Sequence, residues 1–314
     1  MERKNICYPM ELAPAYKDYL WGGNRLEELY GKKSGLSVTA ESWELACHRD
    51  GRCTVANGPC AGQTLSEVLG CGDDFPVLVK LIDAKKDLSI QVHPSDATAD
   101  KEKGEHGKAE MWYVVECRPK SAIYYGFAQF MTPEAFTKAA EDGTICQYLN
   151  RVEVHKGDVF FMQPGTVHAI GAGMLIAEIQ QSSNTTFRIY DYQRVGADGR
   201  QRELHLDRAA AVVDYEPIAP EECRVNAQAR YRGFTMAEMF SCQYFKAYCL
   251  DTHDRADLRV GEEEFHHLLA VEGEGFIHWN GKTYPLRGGS SYYLPQGLGA
   301  YEICGTCRVL LTIA

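Results

Sequence analysis

Apolar positions in this chain fall into short runs rich in β-branched and aromatic residues, and each run is bounded by Gly, Pro, Asn or Asp. Runs of this length and composition predict β-strands. The predicted strands lie within residues 75–84, 88–93, 111–117, 122–127, 158–164, 174–180, 264–275, 275–281, 282–286 and 290–295. Many short strands with few helices indicate an all-β sandwich or barrel.

Three stretches carry helix signals instead. Thr64 and Glu67 have the spacing of a capping box at the start of a short helix. Thr132 and Pro133 have the residue types of an N-cap and a first helical position. Residues 204–215 predict the third helix.

One segment occurs twice. Residues 157–168 and 289–300 both run from a glycine through a strand to a Pro/Gly turn. This similarity predicts the same β-hairpin in both places. The strand after the turn begins with His168 in the first copy and with Ala300 in the second, so only the first copy offers a ligand there.

The strand predicted within 88–93 places polar groups on one side. Successive side chains of a strand point to opposite faces, so Gln91 and His93 share a face and Ile90 and Val92 share the other. An amide and an imidazole on the inner face of a half-buried strand indicate a polar or metal site.

The amino-acid composition and net charge limit the class of protein and the kinds of partner that are possible. The chain has 314 residues, of which 45% are hydrophobic and 24% charged, as in a soluble globular protein. A formal net charge of −10 argues against nucleic acid or an anionic membrane as partner. No apolar run approaches the roughly 20 residues of a membrane span, and no signal peptide is evident, so we expect a cytoplasmic protein.

Twelve cysteines are spread along the chain. Cys304 and Cys307 form a CxxC pair, but no second pair or histidine accompanies it, which argues against a zinc knuckle or a redox site. We expect reduced thiols that pack as small hydrophobes.

The glycine-led strand, Pro/Gly turn and following histidine resemble the cupin pattern, and four further segments closely resemble type I mannose-6-phosphate isomerases, especially the short bacterial form. These are LSIQVHPSD (88–96), GKAEMWYVV (107–115), QPGTVHAIGAG (163–173) and AEIQQSSNTTFRIYDY (177–192), supported by residues 16–23, 40–45, 79–84 and 202–209. The resemblance covers nearly the whole chain. It implies an all-β fold of two cupin jelly-roll barrels with a few short helices. The expected domains are a catalytic metal-binding cupin with helical insertions at 1–222 and a metal-free cupin at 223–314.

The resemblance also implies a metal site. Its ligands would be Gln91, His93, Glu110 and His168, a borderline nitrogen and oxygen set suited to one zinc ion per chain, with a position left open. The same residues allow structural interpretations. Gln91 alone can line a barrel, His168 can be a hydrogen-bonded structural residue, and Glu110 can form a surface ion pair with Lys108.

The family's catalytic pair falls on Glu178 and Arg188. Glu178 interrupts an apolar strand, where a carboxylate tends to have a raised pKa, although alternation also permits it to face outward. Arg188 is suited to an oxyanion or phosphate, and its structural alternative is a salt bridge to Asp191. Lys108 is a further catalytic candidate.

The phosphate contacts expected from the resemblance are Ser89, Lys108 and Arg188. One departure stands out at the glutamate ligand, where many family members carry Lys-Pro-Glu and this chain has Ala109 between Lys108 and Glu110. The change removes a rigid turn but no functional group.

Together these features predict an aldose–ketose isomerase that interconverts mannose 6-phosphate and fructose 6-phosphate through a cis-enediolate at zinc, acting as a monomer or homodimer. Two alternatives stay open: an iron-dependent cupin dioxygenase and a non-catalytic sugar-binding cupin.

The second half of the chain also contains possible metal ligands, which are His266, His267 and Glu272. Adjacent histidines point to opposite faces of a strand, so this half is expected to be metal-free.

Overall fold

The computed structural model describes residues 7–101, 104, 106–196, 199–219 and 229–314. Within these ranges strands dominate and the helices are short, as the sequence predicts. The helices are α1 (Arg25–Tyr30), α2 (Leu65–Leu69), α3 (Pro133–Glu141) and α4 (Leu206–Ala210), with 3-10 turns at Gly58–Cys60 and Ile145–Tyr148. No helix in this described part is long and apolar enough to cross a membrane.

The strands of the first two thirds of the chain are β1 (Met10–Ala13), β2 (Ala15–Lys17), β3 (Glu41–Leu45), β4 (Cys47–His48), β5 (Gly51–Arg52), β6 (Thr54–Val55), β7 (Val77–Ala84), β8 (Ile90–Val92), β9 (Glu110–Cys117), β10 (Ala122–Phe127), β11 (Leu149–Glu153), β12 (Val159–Met162), β13 (His168–Ile170), β14 (Met174–Gln181) and β15 (Phe187–Tyr190). The remaining strands are β16 (Ala229–Tyr231), β17 (Phe234–Ser241), β18 (Lys246–Thr252), β19 (Arg255–Val260), β20 (His266–Trp279), β21 (Lys282–Arg287), β22 (Ser291–Leu294) and β23 (Gly299–Ile313).

Within the described ranges the strands form sheets of ten, six and five strands and a two-stranded ribbon. The six-stranded sheet has the order β12-β9-β14-β7-β3-β2, and the five-stranded sheet has the order β11-β10-β13-β8-β15. The path through the ten-stranded sheet is β16-β17-β18-β23-β20-β22-β1-β6, with β19 paired to β23 and β21 paired to β20.

The six-stranded sheet is buried on both faces. Val79 of β7 packs in one core cluster with Leu269 and Leu310 of the ten-stranded sheet. Ile82 of the same strand packs in another cluster with Ile170 of the five-stranded sheet. A strand covered on both sides needs apolar residues on both sides, which explains the nearly continuous apolar run of β7.

The five-stranded sheet faces the six-stranded sheet on one side and the helices on the other. Ile90 and Val92 of β8 share a core cluster with Phe136 of α3 and Ala209 of α4. Gln91 therefore points away from the helices, toward the six-stranded sheet, as the alternation along β8 predicts.

Two of the three predicted helices form with the predicted N-terminal residues. The Thr64 hydroxyl accepts from the Glu67 N–H while the Glu67 carboxylate accepts from the Thr64 N–H, which completes the capping box of α2. The Thr132 side chain caps α3, whose first residue is Pro133. The third helix is shorter than residues 204–215, and α1 was not predicted.

The expectation of one hairpin used twice is wrong. β12 pairs with β9, whereas β13 pairs with β8 and β10 in a different sheet. The turn between them is held from outside, because the Gly165 N–H donates to His93 O and Gly165 O accepts from the Asp214 N–H. In the second copy, β22 and β23 each pair with β20. The strands predicted at 264–275 and 275–281 are one strand, β20.

The predicted domain boundary between residues 222 and 223 lies outside the described residues. On its N-terminal side, β1 pairs with β22 of the C-terminal half through Met10 and Tyr293. The described cysteines are free thiols, as expected.

Candidate active site

The candidate site lies between the six-stranded and five-stranded sheets. Register places Gln91 of β8 opposite His168 on one neighbouring strand and Arg188 on the other. On the facing sheet, Glu178 of β14 lies opposite Lys80 of β7. The two sheets thus bring a polar group from each of several strands to one cavity of about 240 Å³.

Two histidines meet beside Gln91 and Lys108, which line this cavity. The Nε2 atoms of His93 and His168 are 3.2 Å apart. The Nδ1 of His93 donates to the Thr185 carbonyl at 2.9 Å, and the Nδ1 of His168 donates to the Thr166 carbonyl at 2.8 Å. These hydrogen bonds leave the Nε2 lone pairs free to face each other. Burial, followed by the nearby ammonium of Lys108, lowers the pKa of His93 to about 3, so this ring is neutral.

Glu110 completes the group from the first position of β9. Its Oε1 lies 3.3 Å from His168 Nε2, and its Oε2 lies 3.6 Å from His93 Nε2. Burial alone raises the pKa of Glu110, but the Lys108 ammonium and the contacts with His93 and His168 together outweigh burial and hold that pKa well below its ordinary value. The Lys108 and Glu110 side chains are both buried, so the alternative of a surface ion pair is wrong.

Gln91 lies beside the same group. Its side-chain amide is 3.4 Å from His168 Nε2. The amide oxygen and nitrogen exchange places by rotation about the terminal bond, so either atom can face the histidines. The structure thus brings together the four residues that the sequence singled out as ligands.

The residues present fit a divalent cation. His93, Glu110 and His168 form a buried group whose ligand atoms all lie within 4.8 Å of one another and which could hold a metal ion. Within the described residues, Glu110 Oε1 is buried without a hydrogen-bond partner. The Lys108 ammonium contacts Glu110 Oε2 and lies 3.1 Å from His93 Nε2, so a positive charge already lies against two of these acceptors. Two imidazoles that are each held through Nδ1 by a backbone carbonyl, together with a carboxylate, are a donor set typical of zinc.

Glu178 faces the cavity, so the outward-facing alternative is wrong. Its Oε2 accepts from Trp112 Nε1 at 3.0 Å. Its Oε1 lies 3.3 Å from the Lys80 ammonium and 3.8 Å from that of Lys108, without a hydrogen bond of normal geometry to a described residue. Burial, followed by the charge of Glu110, raises the pKa of Glu178.

Lys80 and Glu41 were missed as site residues. Lys80 lies over the Trp43 ring at 4.9 Å and 3.9 Å from Glu41 Oε2. Burial disfavours its charge, yet the carboxylates of Glu41 and Glu178 outweigh burial and raise the pKa of Lys80. The signal was present in the sequence, because Lys80 interrupts the apolar run of β7 as Glu178 interrupts that of β14.

Two arginines line the outer part of the cavity. Arg188 donates from Nη1 to Glu203 O at 2.7 Å, while its Nε is buried without a partner among the described residues. Burial, followed by the charge of Arg202, lowers the pKa of Arg188. Asp191 pairs with Arg194 and Arg202, which differs from the salt bridge to Arg188 considered above. Arg202 was not singled out, although it begins the 202–209 match.

Ser89 is buried and lines the same cavity, together with Asn184 and Thr186. The predicted catalytic and phosphate-binding residues therefore share one cavity with Gln91. Its lining residues are Tyr19, Trp21, Glu41, Lys80, Ile82, Leu88, Ser89, Gln91, Lys108, Ile170, Glu178, Asn184, Thr186, Arg188 and Arg202.

The histidines of the second half are arranged differently. His266 Nδ1 pairs with the Tyr301 hydroxyl at 2.8 Å, and His267 Nε2 pairs with the Ser291 hydroxyl at 2.9 Å. Glu272 pairs with Lys156 and Arg308 instead of facing these histidines. Neither histidine belongs to a group of possible metal ligands in the described part of the chain.

Comparisons with known proteins agree with this geometry. Residues 10–136 match the family described as phosphomannose isomerase type I, catalytic domain, and residues 235–313 match the family described as mannose-6-phosphate isomerase, cupin domain. The mannose-6-phosphate isomerase ManA of Bacillus subtilis (strain 168) is 36% identical over 314 residues, which span 97% of this chain and 98% of that protein.

Solved structures show the same fold. The crystal structure of the mannose 6-phosphate isomerase from Bacillus subtilis superposes with a TM-score of 0.90 at 32% identity, covering 97% of this chain and 99% of that one. A zinc-bound mannose 6-phosphate isomerase shares the fold at 17% identity, with a TM-score of 0.75 over 97% and 98% of the two chains. The fold is therefore a mostly-β cupin fold with few short helices, while its division into two jelly-roll barrels stays a prediction.

Proposed function

The chain belongs to the type I phosphomannose isomerase family, and on that basis we propose that it interconverts mannose 6-phosphate and fructose 6-phosphate. The observation that carries the proposal is the convergence of Glu178, Lys80 and Lys108 on a cavity that also borders the His93, Glu110 and His168 group. The reaction moves one proton between C2 and C1 and another between the two oxygens, and it develops negative charge on the sugar. Acid, base and cationic groups side by side suit that task.

We propose one zinc ion per chain, held by His93, Glu110 and His168 with Gln91. Held by these residues, zinc would supply Lewis acidity for the negative charge that develops on the open-chain sugar. The spacing of the ligands favours zinc over the iron site of the dioxygenase alternative. That site usually has a compact HxH with a glutamate close behind, whereas Glu110 lies far from His93 in this sequence. The comparisons bring no support to that alternative or to a non-catalytic cupin.

We assign the carbon-bound proton to Glu178 Oε1. This atom faces two ammonium groups without a strong hydrogen bond to either, so it can take a proton and return it. Its partner Oε2 is fixed by Trp112, which orients the carboxylate. The raised pKa of Glu178 makes it a stronger base than an exposed glutamate.

The cations around Glu178 stabilise the enediolate. Lys108 lies at the reacting end, against His93 and Glu110 and near Glu178, and we propose it as a catalytic contact there. Lys80 is held in the charged form by the neighbouring carboxylates, whose effect raises its pKa. Charges placed before the reaction cost no reorganisation when the anion forms.

The phosphate end is assigned to Arg188, with Ser89 and the previously unrecognised Arg202. The unpartnered Nε of Arg188 and the proximity of a second guanidinium favour an anion between them. Binding the phosphate away from the reacting carbons orients the sugar, which lowers the entropic part of the barrier.

The test is a coupled assay with mannose 6-phosphate, and with glucose 6-phosphate as comparison, before and after treatment with a chelator. We expect turnover of mannose 6-phosphate that the chelator abolishes and zinc restores. Glu178→Gln should lower kcat by about 10²- to 10⁴-fold while leaving the zinc content unchanged. Full turnover by the metal-stripped protein contradicts the proposal.

A further inference from the structure

The strand start that carries Lys108 and Glu110 is fixed from outside the cavity. Ala109 lies between these two residues, and its backbone makes two hydrogen bonds with Gln181. The Ala109 N–H donates to Gln181 Oε1 at 2.9 Å, and Ala109 O accepts from the Gln181 N–H at 3.0 Å. Because the peptide at Ala109 joins Lys108 to Glu110, Gln181 sets the position from which both side chains enter the site.

Gln181 is held in turn by hydrogen bonds that meet at the Asp96 carboxylate. Gln181 Nε2 donates to Asp96 Oδ2 at 3.2 Å. Asp96 Oδ1 also accepts from the Gly107 N–H at 2.9 Å, so the same carboxylate fixes the approach to Lys108. The amide of Gln181 is therefore oriented, with its oxygen toward Ala109 and its nitrogen toward Asp96.

The outer end of this chain of contacts belongs to the second half of the protein. The Tyr244 hydroxyl donates to Asp96 Oδ2 at 2.5 Å across 148 positions of sequence. Tyr244 lies in the turn between β17 and β18 and packs against the core cluster that contains Phe245. Its hydrogen bond is the main reason that the pKa of Asp96 lies below its usual value, so the carboxylate is an acceptor at neutral pH.

We propose that Gln181 is a positioning residue for Lys108 and Glu110, and that Tyr244 supports it through Asp96, so that the second half of the chain helps to set the metal and substrate geometry of the first half. The inference rests on the proposed function for its kinetic readout and on the proposed zinc site for its affinity readout. Outer contacts that orient a ligand typically change metal affinity or activity by about 10- to 100-fold when they are removed.

The experiment removes the hydrogen bond from the Ala109 N–H to Gln181 Oε1, first at the acceptor and then at the donor. Gln181→Met keeps an unbranched side chain of similar length but leaves the buried Ala109 N–H without an acceptor. Ala109→Pro removes that N–H, so there is nothing left for Gln181 to accept there. If Gln181 acts through Ala109, Gln181→Met should lower zinc affinity and kcat in the wild type and change them little in the Ala109→Pro variant. A double-mutant cycle measures this difference.

Zinc affinity is measured by competition with a chromophoric chelator, kcat by the coupled assay and folding by thermal melting. We expect Q181M to weaken zinc binding and lower kcat, each by about 10-fold or more. In the Ala109→Pro background the same change should cost less than about threefold. An equal cost in both backgrounds, or no cost in the wild type, overturns the inference. The zinc affinities test the role of Gln181 without requiring turnover, so they separate a failure of this inference from a failure of the proposed isomerase activity.

Tyr244→Phe tests the outer end with little change in packing. We expect Tyr244→Phe to weaken zinc binding as Q181M does, but by a smaller factor. Tyr292→Phe is the matched control, because it also removes a hydroxyl hydrogen bond in the second half, to Pro285 O at 2.7 Å. Zinc binding by Tyr244→Phe that equals that of Tyr292→Phe contradicts the role of Tyr244.

Discussion

The Nε2 atoms of His93 and His168 face each other at 3.2 Å, and each ring donates its Nδ1–H to a backbone carbonyl. In this tautomer both facing nitrogens are acceptors, so their lone pairs repel unless a positive charge lies near them. The arrangement therefore favours a cation at this position, where the Lys108 ammonium lies 3.1 Å from His93 Nε2.

The first prediction concerns the metal. Adding zinc to chelator-treated protein should raise its melting temperature, because a ligand bound only to the folded state stabilises that state by about 1.4 kcal/mol for each tenfold excess over Kd. His168→Ala should lose this response, since it removes one of three converging ligand atoms. Thermal melting against zinc concentration measures both.

The exposed His155 provides the control, because its ring lies outside the cavity. His155→Ala should respond to zinc like the wild type. A normal zinc response in His168→Ala would place the metal elsewhere.

The second prediction concerns the pH dependence of kcat/KM. Glu178 must be ionised to accept a proton, so the acidic limb should follow its raised pKa and lie above the ordinary range of a glutamate. Lys80 lowers the pKa of Glu178 and Glu41 raises it. Lys80→Met should therefore move the limb to higher pH, and Glu41→Gln should move it to lower pH.

A pH–rate profile of each variant decides this prediction, because the position of the limb does not depend on the absolute rate. Lys85→Met, at an exposed lysine beyond the end of β7, is the control and should leave the limb in place. Shifts of the same sign in the Lys80 and Glu41 variants would assign the limb to another group.

Local sequence patterns were sufficient for strands such as β7, β9, β14 and β20, but not for β16 to β19, which lie outside every predicted segment. Gln91 lies on a strand whose alternation fixes its face, and Glu110 and His168 are the first residues of β9 and β13. Helix caps are equally local, which is why Thr64 and Thr132 mark the helix starts. The resemblance added which of these polar groups belong to one site.

Contacts between distant segments were beyond such patterns. The spacing at 157–168 predicts a turn but does not say that the chain changes sheet there. Likewise, nothing near Tyr244 indicates that its hydroxyl meets Asp96, 148 positions away. For Lys80 the sequence shows a charge within an apolar strand, but it does not show the partners of that charge on the neighbouring strands, which are Glu41 and Glu178.

The third prediction concerns the phosphate end of the cavity. Arg202→Ala should raise the KM for mannose 6-phosphate by about 10-fold or more, as expected for the loss of a hydrogen bond to a charged group. Inhibition by inorganic phosphate should weaken to a similar extent, while kcat changes less, because the proposed contacts of Arg188 and Ser89 still orient the bound sugar. Steady-state kinetics with phosphate as inhibitor measure all three.

Arg151→Ala is the control for this experiment, because that arginine is exposed on β11 and lies outside the cavity. Unchanged phosphate inhibition in Arg202→Ala would remove Arg202 from the anion site and leave Arg188 and Ser89.

The fourth prediction links Asp191 to stability. Asp191 accepts from Arg202 at 2.6 and 2.8 Å and also pairs with Arg194. Burial alone raises the pKa of Asp191, but these hydrogen bonds outweigh it and lower that pKa below its usual value. A carboxylate with a depressed folded-state pKa contributes stability above its unfolded pKa of about 3.9 and loses it as pH falls through the folded value.

Asp191→Asn should therefore lower the free energy of unfolding by about 2 kcal/mol at pH 7, the scale of charge-assisted hydrogen bonds. The difference from the wild type should shrink below about pH 4, where the wild-type carboxylate also becomes protonated. Urea unfolding at several pH values measures this, with Asp18→Asn as the control for losing one exposed carboxylate. Because Asp191 also orients Arg202, the same variant should raise the KM for mannose 6-phosphate. A stability difference that is constant with pH would mean that Asp191 acts by packing alone, since only an ionised carboxylate loses its contribution on protonation.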